Sequence, residues 1–347
     1  MNKKLMALAL AGVVSAPAAM AQSANPVTLY GRVYVMFNTV KADGGAPLPS
    51  RNLVKDESSY VGVRGTEDLG GGLKAFFQIE SAAPLDTGGG TFGSRNSAVG
   101  LQGNFGSLLL GRWDTPFKVT AVQVDPSRRL TIATPLSVIS DKKVFDRREN
   151  NLVQYWTPNW GGFEARLMYS ANEAKTVVLS PSNVGLNMHY SKGPFLVGFA
   201  YEKHKDQRGA TATAGVDENG TMLVGSAKFG PFKLGLLGQK FKKTGLTDTK
   251  VALVSGQYDV GKHSIWAIYA RAKDGAVSTA ATQPEGKHFG LGYYYNFTKR
   301  TTFVATYARI KNNSAANYTF NGNGSGSFTV ANDADPKGFG AGFRHVF

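Results

Sequence analysis

The sequence predicts an all-β chain, a closed transmembrane antiparallel β-barrel of 16 strands, and three observations carry that prediction. Apolar and polar residues alternate with period two through most of the chain, which is the strand signal. Tight Gly/Asn/Pro turns take turns with long polar loops between the alternating runs, as in successive hairpins. The third observation is an export leader followed by no segment that approaches the ~20 continuous apolar residues of a membrane helix. Alternating strands average to near-neutral hydropathy, so a barrel escapes that helix criterion.

The leader comes first. In "MNKKLMALALAGVVSAPAAMAQS", Lys3 and Lys4 form a positive n-region, Leu5 to Val14 an apolar h-region, and Ala19-Met20-Ala21 a small-x-small cleavage site. Residues 1–21 therefore read as a cleaved signal peptide, and the mature chain starts at Gln22. Losing two lysines and no acids takes the formal charge from +15 to +13. Residues 22–347 read as a single barrel domain, since no linker or composition break divides them.

The strands follow. Tight turns are expected at 67–72, 103–107, 157–162, 191–194, 230–231, 259–262 and 296–300. Longer connections are expected at 41–57, 81–94, 114–149, 171–183, 204–220, 242–248, 273–286 and 311–335. The stretch 114–149 is the longest, and it is the only place outside the leader where the alternation lapses enough to allow some helix. Sixteen runs with short turns on one edge and long loops on the other form an even-numbered barrel with both termini on the short-turn edge.

The two faces differ in kind. One carries bulky apolar rows such as Leu29-Gly31-Val33-Val35-Phe37, Val184-Leu186-Met188-Tyr190 and Phe289-Leu291-Tyr293-Tyr295, often with aromatics at the ends. The other carries seven basic residues, Arg32, Arg64, Lys74, Arg166, Lys228, Lys233 and Arg344, against the three acids Glu80, Glu164 and Glu202. Aromatic ends are the mark of interfacial girdles, so the apolar face is expected to meet lipid and the charged face a water-filled lumen. Closure is then required, because every backbone group in hydrocarbon must pair internally. At sixteen strands the closed sheet leaves an aqueous channel.

Composition removes several chemistries. Zero cysteine excludes disulfides, thiolate nucleophiles and thiolate metal sites, while 42 glycines, 14 tyrosines and 21 phenylalanines suit a turn-rich sheet. Five histidines are present, and only His204 has an acid two residues away, so no catalytic residues are expected. Neither His nor acids cluster at ligand spacing along the chain, so neither metal nor cofactor is expected. The basic excess serves no recognisable nucleic-acid module, and its other use is a cationic pore that favours small anions.

Several stretches resemble one family. "VTLYGRV", "VGVRGTEDLGGGLKAFFQIE", "SRNSAVGLQGNFGSLLLGRWDTPF", "NFTKRTTFVATYARIKN" and the ending "GFRHVF" are similar, in order and over nearly all of the mature chain, to the Gram-negative porins of β-proteobacteria. "GRW" at 111–113 departs from the commoner Gly-Arg-Gln. The resemblance implies a sixteen-stranded homotrimer seated in outer-membrane lipid and lipopolysaccharide of a Gram-negative cell, whose third long loop, here about 114–149, folds into the pore. It implies that Arg32, Arg64, Arg95 and Arg148 form a basic wall, to which the inward Lys74 is added, faced by loop acids for which Asp125 and Asp141 are the candidates. Simple parity groups Arg95 with Val99 and Leu101 on the lipid side, so a bulge near Asn96 or Ser97 is required to turn it inward. Phe347 resembles the C-terminal signal read by the outer-membrane assembly machinery.

The expected function is passive diffusion of small hydrophilic solutes and ions through an anion-selective channel, and not an enzymatic reaction. A substrate-specific channel for small anionic solutes is the alternative, and an adhesin or structural barrel is a third reading that the charged lumen disfavours.

Overall fold

The computed structural model describes residues 27–139, 144–171, 173, 175–275, 282–320 and 328–347. Strand β1 (Thr28–Gly44) pairs at one edge with the last strand and at the other with two stretches in succession, Leu48–Asp56 along its second half and Tyr60–Gly70 along its first. Those two stretches are one interrupted strand, β2, so the seventeen-membered sheet is a wall of sixteen strands. The wall continues through β3 (Leu73–Ala82), β4 (Ser97–Gly103), β5 (Gly106–Asp114), β6 (Arg148–Trp156), β7 (Phe163–Ala171) and β8 (Ser182–Lys192). It is completed by β9 (Phe195–Lys205), β10 (Glu218–Phe229), β11 (Phe232–Lys243), β12 (Thr249–Val260), β13 (His263–Asp274), β14 (Glu285–Asn296), β15 (Thr301–Asn312) and β16 (Ala334–Val346).

Every strand pairs antiparallel with its neighbours, and β1 with β16 closes the ring from Arg32–Val346 to Gly44–Ala334. Beyond the ladder, Gly31 N donates to Phe347 O at 3.0 Å and Phe347 N to Gly31 O at 3.1 Å, which ties the last residue to the first strand. The expected connection 41–57 is not a loop. β1 runs on to Gly44 and the chain returns at once as Leu48–Asp56, because Val40↔Arg51 and Thr39↔Asn52 extend the ladder past the point where the apolar alternation fades.

Burial follows the predicted faces. Leu29, Phe37, Val99, Leu110, Leu223, Leu236, Leu291 and Phe343 are exposed on the outer surface, while their sequence neighbours turn inward. Near the short turns the outer aromatics touch one another: Phe195 with Phe229, Phe232 with Tyr258, Tyr295 with Phe297 and Phe303 with Phe343. Such a girdle suits the membrane–water interface.

The segment between β5 and β6 packs on inward-facing side chains. Helix α1 (Pro116–Val122) starts where the Thr115 hydroxyl accepts from Lys118 N at 3.2 Å, with proline in the first turn. It buries Phe117, Thr120 and Ala121 against β8, β9 and β10, and the short α2 (Leu136–Ile139) lies on β12, β13 and β14. Asn187 donates to Thr120 Oγ1 at 2.8 Å, Ser255 Oγ to Val124 O at 2.6 Å and Tyr294 OH to Pro126 O at 3.1 Å. Glycines seat the segment closely: a Cβ on Gly290 would lie 2.6 Å from Ala133 O, and one on Gly220 would lie 3.1 Å from the rings of Phe117 and Phe145. The described residues of the last long connection also turn inward, with Tyr318, Phe320, Phe328 and Val330 buried and the Tyr318 ring on Gly286.

Candidate functional site

The break in β2 at residues 57–59 organises the inner wall. Ser58 adopts φ +68°, a conformation rare for a residue with a side chain, so the chain turns out of the ladder there. Its carbonyl accepts from Arg32 at 2.6 Å and its hydroxyl from Arg95 at 2.7 Å. Beside it, the buried Glu57 carboxylate accepts from Thr131 N at 3.0 Å, so the same break also holds the tip of the lumen segment.

Two arginines flank one ring. The Arg32 and Arg95 guanidinium carbons stand 5.1 Å and 4.8 Å from the centroid of Tyr60, and Arg64 stands 4.9 Å from that of Tyr30. Tyr30 and Tyr60 meet edge-on at 6.1 Å, and the Tyr30 hydroxyl donates to Glu80 Oε1 at 3.0 Å. Stacking on a ring holds a guanidinium in place without neutralising it; of the three, Arg95 also has a carboxylate partner, Glu80 Oε2 at 3.5 Å. Arg95 reaches this group through the expected irregularity. Gln78 opposes Ala98, yet Arg95 N donates to Glu80 O, one residue out of that register, so parity reverses and the side chain points in.

Arg148 lies on the same wall, where Nε donates to Asn96 Oδ1 at 2.6 Å and sits 3.3 Å from Asp114 Oδ1. Further cations continue the row. Arg95 feels the charge of Arg148, Arg32 that of Arg95 and Arg344, Arg344 that of Arg128, and Lys233 those of Arg128 and Lys228. Arg166, over the Trp156 ring at 4.7 Å, lies on β7. Among the described residues, Arg64, Arg128, Arg166 and Arg344 make no ion pair with a carboxylate. Arg128 is the member that sequence reasoning did not single out. It lies in a non-repeating turn, so no periodicity marks which way it points.

The acids are used locally. Asp125 does not face the lumen: it is 3% exposed and accepts from Ser127 N at 2.9 Å, from the Ser127 hydroxyl and from Arg129 N at 3.2 Å. Burial pushes its carboxyl above the usual range against those donors. Its work is to hold the left-handed turn of Arg128 and Arg129, which leaves Arg128 exposed on the segment and buries Arg129 against Asp146. Asp141 lies outside the described residues. The acid nearest the arginine row is Asp114, at the end of β5, shared among Lys118 at 2.8 Å, Arg148 and Asn96.

Lys74 is not part of the group. Arg64 opposes Gln78, four residues along β3 from Lys74, which at the rise of an extended strand is ~13 Å. Lys74 instead faces Asp68 beside the Gly71–Gly72 turn, at the short-turn rim. A different trio does converge: Glu149, Glu202 and His204 bring one ligand-type atom each within 4.8 Å of one another. Spacing along the chain could not reveal this trio, because Glu149 lies far upstream of Glu202 and His204.

Comparison with known proteins gives consistent matches. A family profile described as Gram-negative porin matches residues 7–315. Outer membrane porin protein 32 of Delftia acidovorans is 33% identical over 363 aligned residues that span all of both chains. Major outer membrane protein P.IB of Neisseria meningitidis is 32% identical over 59% of this chain and 61% of its own. Among solved structures, the anion-selective porin from Comamonas acidovorans superposes with a TM-score of 0.81 at 30% identity, covering 93% of this chain and 100% of that one. OmpT of Vibrio cholerae shares the fold at TM-score 0.71 and 18% identity, over 94% of this chain and 99% of its own.

Proposed function

The chain belongs to the Gram-negative porin family, whose members are outer-membrane channels, and from that premise we propose that its lumen passes small hydrophilic solutes and ions with a preference for anions. The observation that carries the reading is the row of inward cations, Arg148, Arg95, Arg32, Arg344, Arg128 and Lys233: Arg148 pairs with Asp114 and Arg95 with Glu80, but among the described residues Arg32, Arg128 and Arg344 pair with no carboxylate. A unit charge a few ångströms from a passing ion is worth ~1–4 kcal/mol between water-like and surface-like dielectric. That biases flux without holding the ion. The 30%-identical Comamonas protein is described as anion-selective, which supports the same sign.

In this reading the segment between β5 and β6 narrows the channel and Arg128 opposes the wall arginines from it. Arg32, Arg64, Arg95 and Arg148 are the wall; Lys74 acts at the rim. Residues 1–21, outside the described residues, serve as a cleaved leader, and 22–347 as the barrel. The working unit is a homotrimer in lipid and lipopolysaccharide, and the exposed Phe347, laid on Gly31 of β1, suits a signal for the assembly machinery. The channel carries out no chemical reaction.

Reversal potentials across a planar bilayer in a salt gradient test the proposal. Anion preference is expected at low salt and should shrink towards 1 M, where screening shortens to ~3 Å. Cation preference at low salt overturns it.

A further inference from the structure

Three carboxylates and an imidazole meet under the lumen segment, beyond the Arg148 end of the arginine row. His204 Nε2 lies 2.8 Å from Glu202 Oε1 and His204 Nδ1 4.0 Å from Glu218 Oε2. Glu149 completes the trio whose ligand atoms all fall within 4.8 Å. Glu202 and His204 are fully buried, and Glu218 is 1% exposed.

Charge alone does not settle this cluster. Arg147 pairs with Glu149, and Arg208 lies 3.7 Å from Glu218. Two guanidiniums against three carboxylates leave one negative charge for the imidazole to meet. A proton on His204 would balance it, yet Glu202 Oε2 would still have no hydrogen-bond partner although it is wholly shielded from water. A bare buried carboxylate oxygen is costly, and a cation between Glu202, His204 and Glu149 removes that cost.

We propose that Glu149, Glu202 and His204, with Glu218 behind the imidazole, form a site for a first-row divalent cation of the zinc type. Mixed imidazole and carboxylate donors suit zinc and its neighbours, whereas calcium and magnesium take oxygen alone. Two ligands of a tetrahedral zinc sit ~3.4 Å apart, so His204 and Glu202 open slightly and Glu149 closes in, by rotation of glutamate side chains. Phe145 stacks on the imidazole at 4.6 Å and fixes its plane. A cavity of about 360 Å³ lined by Arg147, Arg148, Glu149, Asn183 and Gln207 reaches the trio on its Glu149 side. Glu149 stands where the lumen segment rejoins the wall, and Glu202 and His204 stand on β9, so the bound ion joins the two.

Zinc titration of the detergent-purified, chelator-stripped protein by calorimetry tests the site. One tightly bound zinc per chain is expected, weakened at least tenfold in Glu202→Gln and in His204→Gln and kept in His189→Gln, which alters the separate His189–Glu164 pair. Anomalous diffraction at the zinc edge from soaked wild-type crystals, which needs no variant to fold, should place the ion between Glu202 and His204. Absence of binding, binding unchanged by both variants, or a peak elsewhere overturns the proposal. Conductance and ion preference without zinc are unaffected by that failure, so the channel reading stands or falls separately.

Discussion

The guanidinium of Arg95 lies 4.8 Å from the centre of the Tyr60 ring, on a residue that strand parity assigns to the lipid face. A one-residue offset between β3 and β4 brings it in, and the break at Ser58 receives it. Two irregularities of backbone thus assemble the arginines on one ring. Tyr60→Leu keeps every charge but removes the platform, which for stacked arginines is worth ~0.5–2 kcal/mol. Anion preference should fall partway towards that of Arg32→Gln/Arg95→Gln, while Lys175→Gln/Lys205→Gln, in a long loop and at the loop end of β9, changes little. Reversal potentials of the three proteins give the ranking; equal effects would move the selectivity to the mouth.

The seat of the lumen segment depends on missing side chains. Gly290→Ala places a methyl 2.6 Å from Ala133 O, closer than any real contact, so the segment must move. Gly238→Ala meets nothing within 4 Å and serves as the control. Single-channel conductance should change in the first variant and stay at the wild-type value in the second.

Asp125 and Asp114 separate architecture from electrostatics. Asp125→Ala strands buried donors on Ser127 and Arg129, at ~1–3 kcal/mol, and loosens the turn that aims Arg128. Heightened current noise is expected there. Asp114→Asn instead releases Arg148 and Lys118 from their shared acid and should raise anion preference. A larger selectivity change in Asp125→Ala than in Asp114→Asn would return Asp125 to the pore.

Acid should loosen the connection between β3 and β4. Burial pushes the Asp86 carboxyl up, but Lys55 at 3.1 Å and backbone N–H donors outweigh it and hold the group below its ordinary range. A depressed carboxylate stabilises the fold above its unfolded value, ~3.9, and loses that contribution as pH falls through the folded value. Pepsin nicking within 83–96 should therefore rise steeply only below about pH 4 in the wild type. In Lys55→Met the rise should begin at higher pH.

The outer face tolerates no charge at depth. Leu236→Arg, on the exposed apolar surface, should cost ~2–4 kcal/mol if it lies near the bilayer midplane, and Gln78→Arg on the inner wall far less. Yields of heat-resistant protein after refolding into detergent micelles report the difference.

The barrel, its strand number, its two faces and its edges are legible in the residues alone, because each follows from local alternation and turn chemistry. Leu29, Val33 and Phe37 against Arg32 and Tyr34 are legible by parity alone. So are the inward arginines 32, 64, 166 and 344. The rest emerges on folding, where the ladder is broken or the sequence separation is long. Arg95 turns inward by a register offset that no period reveals, and Lys74 drops out of the group because distance along a strand is invisible to parity. Asp125 turns away from the lumen because its own turn supplies better donors than water does. Glu149 meets Glu202 and His204 across two strands and a folded segment. Parity is a property of one strand; convergence is a property of the closed sheet and of what packs inside it.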